Sequence, residues 1–350
     1  MSDTTTAADA EESTDAVENR SEIVFVYDAE DTNPNGNPLS SNDKPRIDET
    51  TGAAVVTDVR LKRYLRDQLD DDDFGIYVKN PTKSDTEDVP GRDELFTRVT
   101  GLDSDSLDEM NGNEAAVSFL QHAVDVRYFG ATCSFSSDFQ SQIGEGFPGQ
   151  FIGPVQFSHA RSLNTVVQKS ESKQLSTVVA SSEGNEQGTF ATDNRLQYAI
   201  FPFHGIVNEV GADDTLLSQT DVERLDTLLW RAVKNQTLTR SKIGHQPRLY
   251  LRVEYSTDAF HNGTLDDGLE LTQELPDTEL RNITDVVVNV DGLLEEIEAD
   301  SKHVASVHLT TDRHLTVEAD GETGGPELLV DELKSIVGDD SVIEVDPYDA

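Results

Sequence analysis

A single cysteine, Cys133, excludes an intramolecular disulfide and any zinc cluster built on cysteine. It follows a strand-like run, so it is expected to be a small buried hydrophobe rather than a nucleophile. No run of about 18 apolar residues exists to span a membrane, and the first residues lack the basic-then-apolar pattern of a secretory leader. A Walker loop, a Ser-His-Asp order and a dinucleotide fingerprint are all missing, so no cofactor is expected. The eight histidines are scattered, and His303 and His308 have no metal-ligand spacing with any carboxylate pair.

Positive charge is what the chain lacks most. There are 27 Lys and Arg against 68 Asp and Glu among 350 residues, a formal net charge of −41. The acids are spread over almost the whole chain, as a solvating coat would be, which reads as adaptation to a cytosol of high salt; the competing reading is an acidic partner-binding surface. Residues 1–20, rich in Thr, Ala, Asp and Glu, are expected to form a disordered solubilising tail.

Against that background the cations gather in two islands. Residues 44–66 hold Lys44, Arg46, Arg60, Lys62, Arg63 and Arg66. Residues 231–252 hold Arg231, Lys234, Arg240, Lys242, Arg248 and Arg252 and no acid at all. Twelve of the 27 basic residues thus occupy 45 positions, where even spacing would place about three or four. A chain otherwise coated in carboxylates has reason to avoid such clusters unless a polyanion covers them, and phosphate contact is the expected use; a solvated face or internal ion pairs is the plainer one.

The pattern around the first island is strand, turn, helix. Ile23–Tyr27 has the β-branched and aromatic content of a buried strand, and Asn33-Pro-Asn-Gly-Asn-Pro38 must turn. Thr57 or Asp58 can then cap a helix with Val59, Leu61, Leu65 and Leu69 at helical spacing. Further helices are expected at 93–100, 113–122 and 221–235, and strands at 74–78, 124–129, 197–207 and 249–255. The last hundred residues differ: residues 253–350 carry 26 Asp and Glu but four Lys and Arg. Strands near 285–290, 304–309 and 314–317 and helices near 293–299 and 327–337 are expected there. The alternation implies an α+β fold, and no internal repeat is present.

Asn33-Pro-Asn-Gly-Asn-Pro38, Pro45-Arg-Ile-Asp48 and Val56-Thr-Asp-Val-Arg-Leu-Lys-Arg63 together resemble the backbone subunit of type I CRISPR Cascade complexes, most closely its type I-B form, within the RAMP superfamily. The resemblance continues in Asp125-Val-Arg-Tyr-Phe-Gly-Ala131, in Gly153-Pro-Val-Gln156 followed by Ser162, and in Thr239-Arg-Ser-Lys-Ile-Gly-His-Gln246, covering about residues 22–256. It implies a modified RRM or ferredoxin-like palm with finger and thumb insertions. These are placed at about 33–57 and 139–195 of one domain running over 21–350, with an acidic extension from about 256. It implies a subunit that polymerises along a CRISPR RNA (crRNA) and presents it to target DNA through a guide duplex. The implied partners are copies of itself, the crRNA-processing endonuclease, a second RAMP subunit, a large subunit and a helicase-nuclease effector.

The residues expected to touch RNA are Asn33, Asn35, Lys44, Arg46, Arg60, Lys62, Arg63, Arg66, Gln156, Arg161, Ser162, Arg240, Ser241, Lys242, Gln246 and Arg248. Asn33 and Asn35 serve equally well as mere turn builders, Arg161 as a surface arginine, and His204 and His245 as local hydrogen-bonding groups or RNA contacts. Val167, Leu175, Val178 and Val179 form either a wedge between bases or packing within the insertion. The rival class is a metal-dependent RNA endonuclease of the type III kind using Asp28 beside Glu30 and Asp31. A third is an assembly protein that binds no RNA.

Overall fold

The computed structural model describes residues 16–36, 44–79, 91–174, 190–238 and 241–349. The fold is α+β. Its main sheet is built on β1 (Ser21–Thr32), which grows from the apolar run at 23–27. The chain then forms helix α1 (Asp58–Asp71), strand β2 (Val155–Phe157), the long strand β3 (Phe190–Val207), helix α2 (Gln219–Lys234) and strand β4 (His245–Tyr255). Strand β5 (Val304–Thr311), helix α3 (Pro326–Val337) and strand β6 (Val342–Glu344) complete it. Along the sheet the order is β6-β5-β4-β1-β3-β2. β1 pairs antiparallel on both sides, Ile23 facing Gly205 of β3 and Arg252 of β4. The strand Gln168–Gln174 continues the sheet along the first half of β3.

Alternation along β1 sends its side chains to opposite faces. Ile23, Phe25 and Tyr27 go to one face, where α1 contributes Leu61, Tyr64, Leu65 and Leu69 and α2 contributes Val222, Leu225 and Leu229. Val24 and Val26 go to the other, beneath Leu293 and Ile297 of the helix Asp291–Ala299 and Leu329 and Leu333 of α3. The acidic C-terminal region therefore roofs the second sheet face. Each such apolar side chain taken out of water contributes about 1.5–3 kcal/mol. A third cluster lies between the helices Arg92–Thr100 and Gly112–His122, where the rings of Phe96 and Phe119 stack 5.1 Å apart. Cys133 is buried there, and burial pushes its thiol pKa up to about 12, an inert hydrophobe as expected.

Local signals set the helix starts. Thr57 caps α1, its hydroxyl accepting from the Arg60 N–H. The cap of α2 is Ser218, with Asp221 closing a reciprocal capping box, so the helix begins two residues before the expected start at 221.

Two expected strands are not strands. Val124–Phe129 is a helix with all six residues buried, and 74–78 is irregular. The alternation at 124–129 misled because its polar members do not face water. Asp125 accepts from the N–H groups of Tyr77 and Val78, and Arg127 forms a two-bond fork with Asp221. With every residue buried, no side-chain period remains to be read. Of the expected tail, residues 1–15 lie outside the described residues, while Val17 is buried and Arg20 pairs with Glu209 at 2.8 Å. Among the described residues no helix is long and apolar enough to cross a membrane.

Helix α2 is fixed to the sheet by charge as well as by packing. Asp226 receives both arms of Arg252 at 2.6 and 2.7 Å, the Tyr250 hydroxyl at 2.5 Å and His308 at 3.0 Å, all well buried. Burial alone would raise the Asp226 carboxyl, but Arg252 and His308 more than offset it and hold the pKa at about 2. Removing one partner strands the other charge, so Asp226→Ala should cost about 3–5 kcal/mol by denaturant unfolding in molar KCl. A depressed carboxylate stabilises the fold above its unfolded pKa of about 4 and loses that contribution as pH falls through about 2. Asp226→Asn should accordingly show a shallower acid-induced loss of stability over that interval.

Candidate nucleic-acid interface

The first basic island folds into a groove of about 490 Å³. Arg60, Arg63 and Arg66 recur every three residues along α1 and so share one face. Arg46 reaches the same space from the preceding segment, whose carbonyl accepts the Val55 N–H. Lys79, Asn35, Thr57, Val59 and Val78 complete the wall, which contains no acid among the described residues. Each helix arginine is held by part of its guanidinium. Arg60 donates to the carbonyls of Asn35 at 3.1 Å and Gly36 at 3.4 Å, Arg63 meets Asp67 at 2.7 Å, and Arg66 meets Asp125 at 2.8 Å. The Arg66 guanidinium also lies 5.1 Å from the centre of the Phe129 ring. A guanidinium has more N–H donors than one such partner occupies, so anchored arginines still offer directed donors to the groove.

The turn at 33–36 is the groove's other edge, and it is held from beneath. Lys242 is buried, and its ammonium donates to the carbonyls of Asn33, of Pro34 at 2.8 Å and of Gly36 at 3.3 Å. Tyr64 donates to the Pro34 carbonyl at 3.0 Å, and the Asn33 N–H donates to the Ser241 carbonyl. Asn35 donates from its side chain to the Val55 carbonyl at 2.5 Å and lines the groove, whereas Asn33 is buried. Gly244 allows the close approach this requires: a Cβ there would meet the Glu30 carbonyl oxygen at 2.1 Å.

The other expected contacts are dispersed. Lys62 is buried beside Arg66 over the Phe129 ring but outside the groove lining; it donates to Gln156 at 2.6 Å and meets Asp58 at 3.4 Å, and burial pushes its ammonium pKa down despite Asp58. Arg161 is exposed and pairs with Asp48 at 2.8 Å. Ser162 is buried, accepting from the Ala54 N–H at 2.9 Å. Lys44 is exposed and stands apart from the groove lining. Much of the second island is internal: Arg248 is buried between Asp28 and Asp312, Arg252 is in the Asp226 fork and Arg231 pairs with Asp72, while Lys234 is exposed and donates to Gln246. Arg240 lies outside the described residues. Of the two histidines, His204 bonds Glu22 at 2.7 Å, whereas His245 makes no hydrogen bond through its ring among the described residues and is buried against the rings of Tyr27 and Tyr64.

Residues 19–291 match the family described as CRISPR-associated protein Cas7. A relative of that description from Haloferax volcanii is 46% identical over 314 residues, covering 87% of this chain and 90% of its own. The chain belongs to the Cas7 family. Two solved chains described as parts of CRISPR RNA-guided surveillance complexes, one of them pre-nicking, are similar at TM-scores of 0.49 and 0.40. Their identities are 11% and 12%, over 91% and 83% of this chain and 100% and 88% of theirs. Likeness at that level adds nothing to the family assignment.

In this Cas7-family chain the acids at the end of β1 do not converge. Asp28 is 1% exposed and accepts from Arg248 at 2.9 Å and Tyr198 at 3.0 Å; burial pushes its pKa up to about 6 against the pull of Arg248. Glu30 and Asp31 are exposed, and Asp31 is taken up by Lys169 at 2.8 Å. Among the described residues no three His, Cys, Asp or Glu side chains are grouped so as to hold a metal ion. Sequence reasoning missed Lys79, Thr57, Val59 and Val78 in the groove. A charge count along the chain could not join Lys79 to residues 44–66, because the fold of 72–79 back along α1 is tertiary. Lys242→Met should lower the unfolding temperature and speed amide exchange at residues 33–36, whereas Arg63→Ala should change neither. Unchanged exchange in Lys242→Met would show that the turn holds without its ammonium.

Proposed function

We propose that this Cas7-family chain is the crRNA-binding backbone subunit of a type I CRISPR Cascade complex in the cytoplasm. Several copies would stack along the guide and present it for pairing with target DNA. The observation that carries this is the groove of Arg46, Arg60, Arg63, Arg66 and Lys79, with no acid among its described lining residues, on a chain of net charge −41. High salt weakens binding that depends on counterion release, so the useful contacts are directed donors of fixed geometry, which the anchored arginines supply. Nothing in the groove presents a base-edge code, as suits a protein that accepts any guide and leaves sequence to pairing.

The order β4-β1-β3-β2, antiparallel throughout, with α1 and α2 on one face, supports reading this part of the sheet as a ferredoxin-like or RRM palm. An RRM stacks bases on its open sheet face. Here that role would pass to the end of β1 and to α1, because the second face lies beneath the C-terminal region. That shared core also supports one domain over 21–350, with insertions at about 33–57 and 139–195. The insertion at 139–195 would act as a thumb on the neighbouring copy, although residues 175–189 lie outside the described residues. A role without catalysis is supported by Asp28, whose carboxylate is buried and paired. Expected partners are the crRNA-processing endonuclease, a second RAMP subunit, a large subunit and a helicase-nuclease.

Tagged protein purified in molar KCl should carry spacer-repeat RNA of uniform length and a high A260/A280 ratio. Arg60→Ala with Arg63→Ala should lose that RNA while unfolding normally. If each arginine meets one phosphate, the salt slope of RNA affinity should fall by about 1.4, at roughly 0.7 per phosphate for single strands. Protein free of nucleic acid at every salt tested would overturn the reading.

A further inference from the structure

A second concavity opens at the same end of the sheet, outside the groove on α1. It holds about 700 Å³, the size of a small-ligand site, where the starts of β4 and the ends of β1, β5 and α2 meet the C-terminal segment. We infer that this cavity is a second nucleotide site, which takes one base and its phosphate from the RNA leaving the α1 groove. The inference rests on the RNA reading above and extends it to Trp230, Arg313 and Tyr348, which neither basic island nor family motif singled out, together with Lys234 of the second island.

Its chemistry points to a nucleotide. Tyr348 is 61% exposed in the lining, an aromatic face left open where burial would be the ordinary fate. Trp230, the single tryptophan of the chain, forms part of the floor and is 6% exposed. Aromatic faces stack any base, so the site needs no sequence preference. Two exposed cations flank them, Lys234 from the end of α2 and Arg313 from the turn after β5. Arg313 is one of four Lys and Arg among residues 253–350, and it is placed here. The acids of the lining are mostly spent. Asp312 meets Arg248 at 2.8 Å and accepts the His314 N–H at 2.9 Å, and Asp346 accepts the Tyr348 N–H at 2.9 Å. Glu30 is exposed and is suited to accept from a ribose hydroxyl or a base amino group.

The two concavities are also close along the chain. Glu30 lines the second and Asn35 the first, and five residues reach no further than about 18 Å. About five nucleotides at a per-strand rise of roughly 3.4 Å cover that distance. The rims of the two concavities at Glu30 and Asn35 are therefore within the reach of one short RNA strand.

The test uses the full-length protein and uridine homopolymer RNAs of increasing length, followed by fluorescence anisotropy at fixed KCl. The triple variant Lys234→Ala, Arg313→Ala and Tyr348→Ala should bind the longer RNAs about tenfold or more weakly and the shortest equally well, with an unchanged unfolding midpoint. Ultraviolet cross-linking of the wild type should place RNA on the peptide carrying Tyr348, a readout that no folding defect can produce. Full affinity in the triple variant with no such cross-link, while Arg60→Ala with Arg63→Ala abolishes binding, would overturn the second site and leave the groove standing. Full affinity in both variants would overturn the groove as well. Unchanged RNA affinity with smaller assemblies would give the cavity to a neighbouring protein and overturn the inference.

Discussion

One buried ammonium group organises the functional end of this molecule. Lys242 points inward, and the carbonyls of Asn33, Pro34 and Gly36 converge on it. A buried charge is tolerable only when its hydrogen bonds are made, and the turn makes them. The consequence runs in both directions. The lysine fixes the turn, the turn's Asn35 and Gly36 carbonyls hold Arg60, and Arg60 with its helical neighbours forms the groove wall. The loop that carries Lys242 is in turn tied to β1 through Ser241 and Gly244. The two segments most reminiscent of the family thus become one structure, with one segment serving as the other's scaffold.

Charge is used in two distinct ways. The acids coat the surface and keep the chain solvated at high salt, in keeping with a relative from Haloferax volcanii. The cations are mostly bound to particular carboxylates or carbonyls. Arg252 with Asp226 and Arg127 with Asp221 are two-armed, dry contacts that brace α2 against the sheet and against the helix 124–129. Such pairs are screened little by salt because water and ions do not reach them. The few cations left facing solvent together are therefore informative, and they line the two concavities at one end of the sheet.

The sheet itself is closed on both faces. Helices α1 and α2 cover one side and the C-terminal region the other, which leaves the strand ends and the outer face of α1 open. The acidic C-terminal region, puzzling as an appendage, has a plain structural role as a roof. It also brings Arg313 and Tyr348 to the end of β1.

Much of this was legible in the residues themselves. Strands at 23–27, 197–207 and 249–255 and helices from about 58, 93, 113 and 327 follow from apolar period and capping chemistry, which are local. So does the cationic face of α1, since residues three apart on a helix must share a side. The helix at 124–129 was not legible, because total burial erased the period that distinguishes helix from strand. Nor was the fate of the second island, where Arg231, Arg248 and Arg252, with no acid near them in sequence, found acids across the fold. Sequence determined which residues carry charge and which elements present it. Only the tertiary structure decided which charges are spent on internal partners and which remain to meet a ligand, because an ion pair is a contact in space and not along the chain.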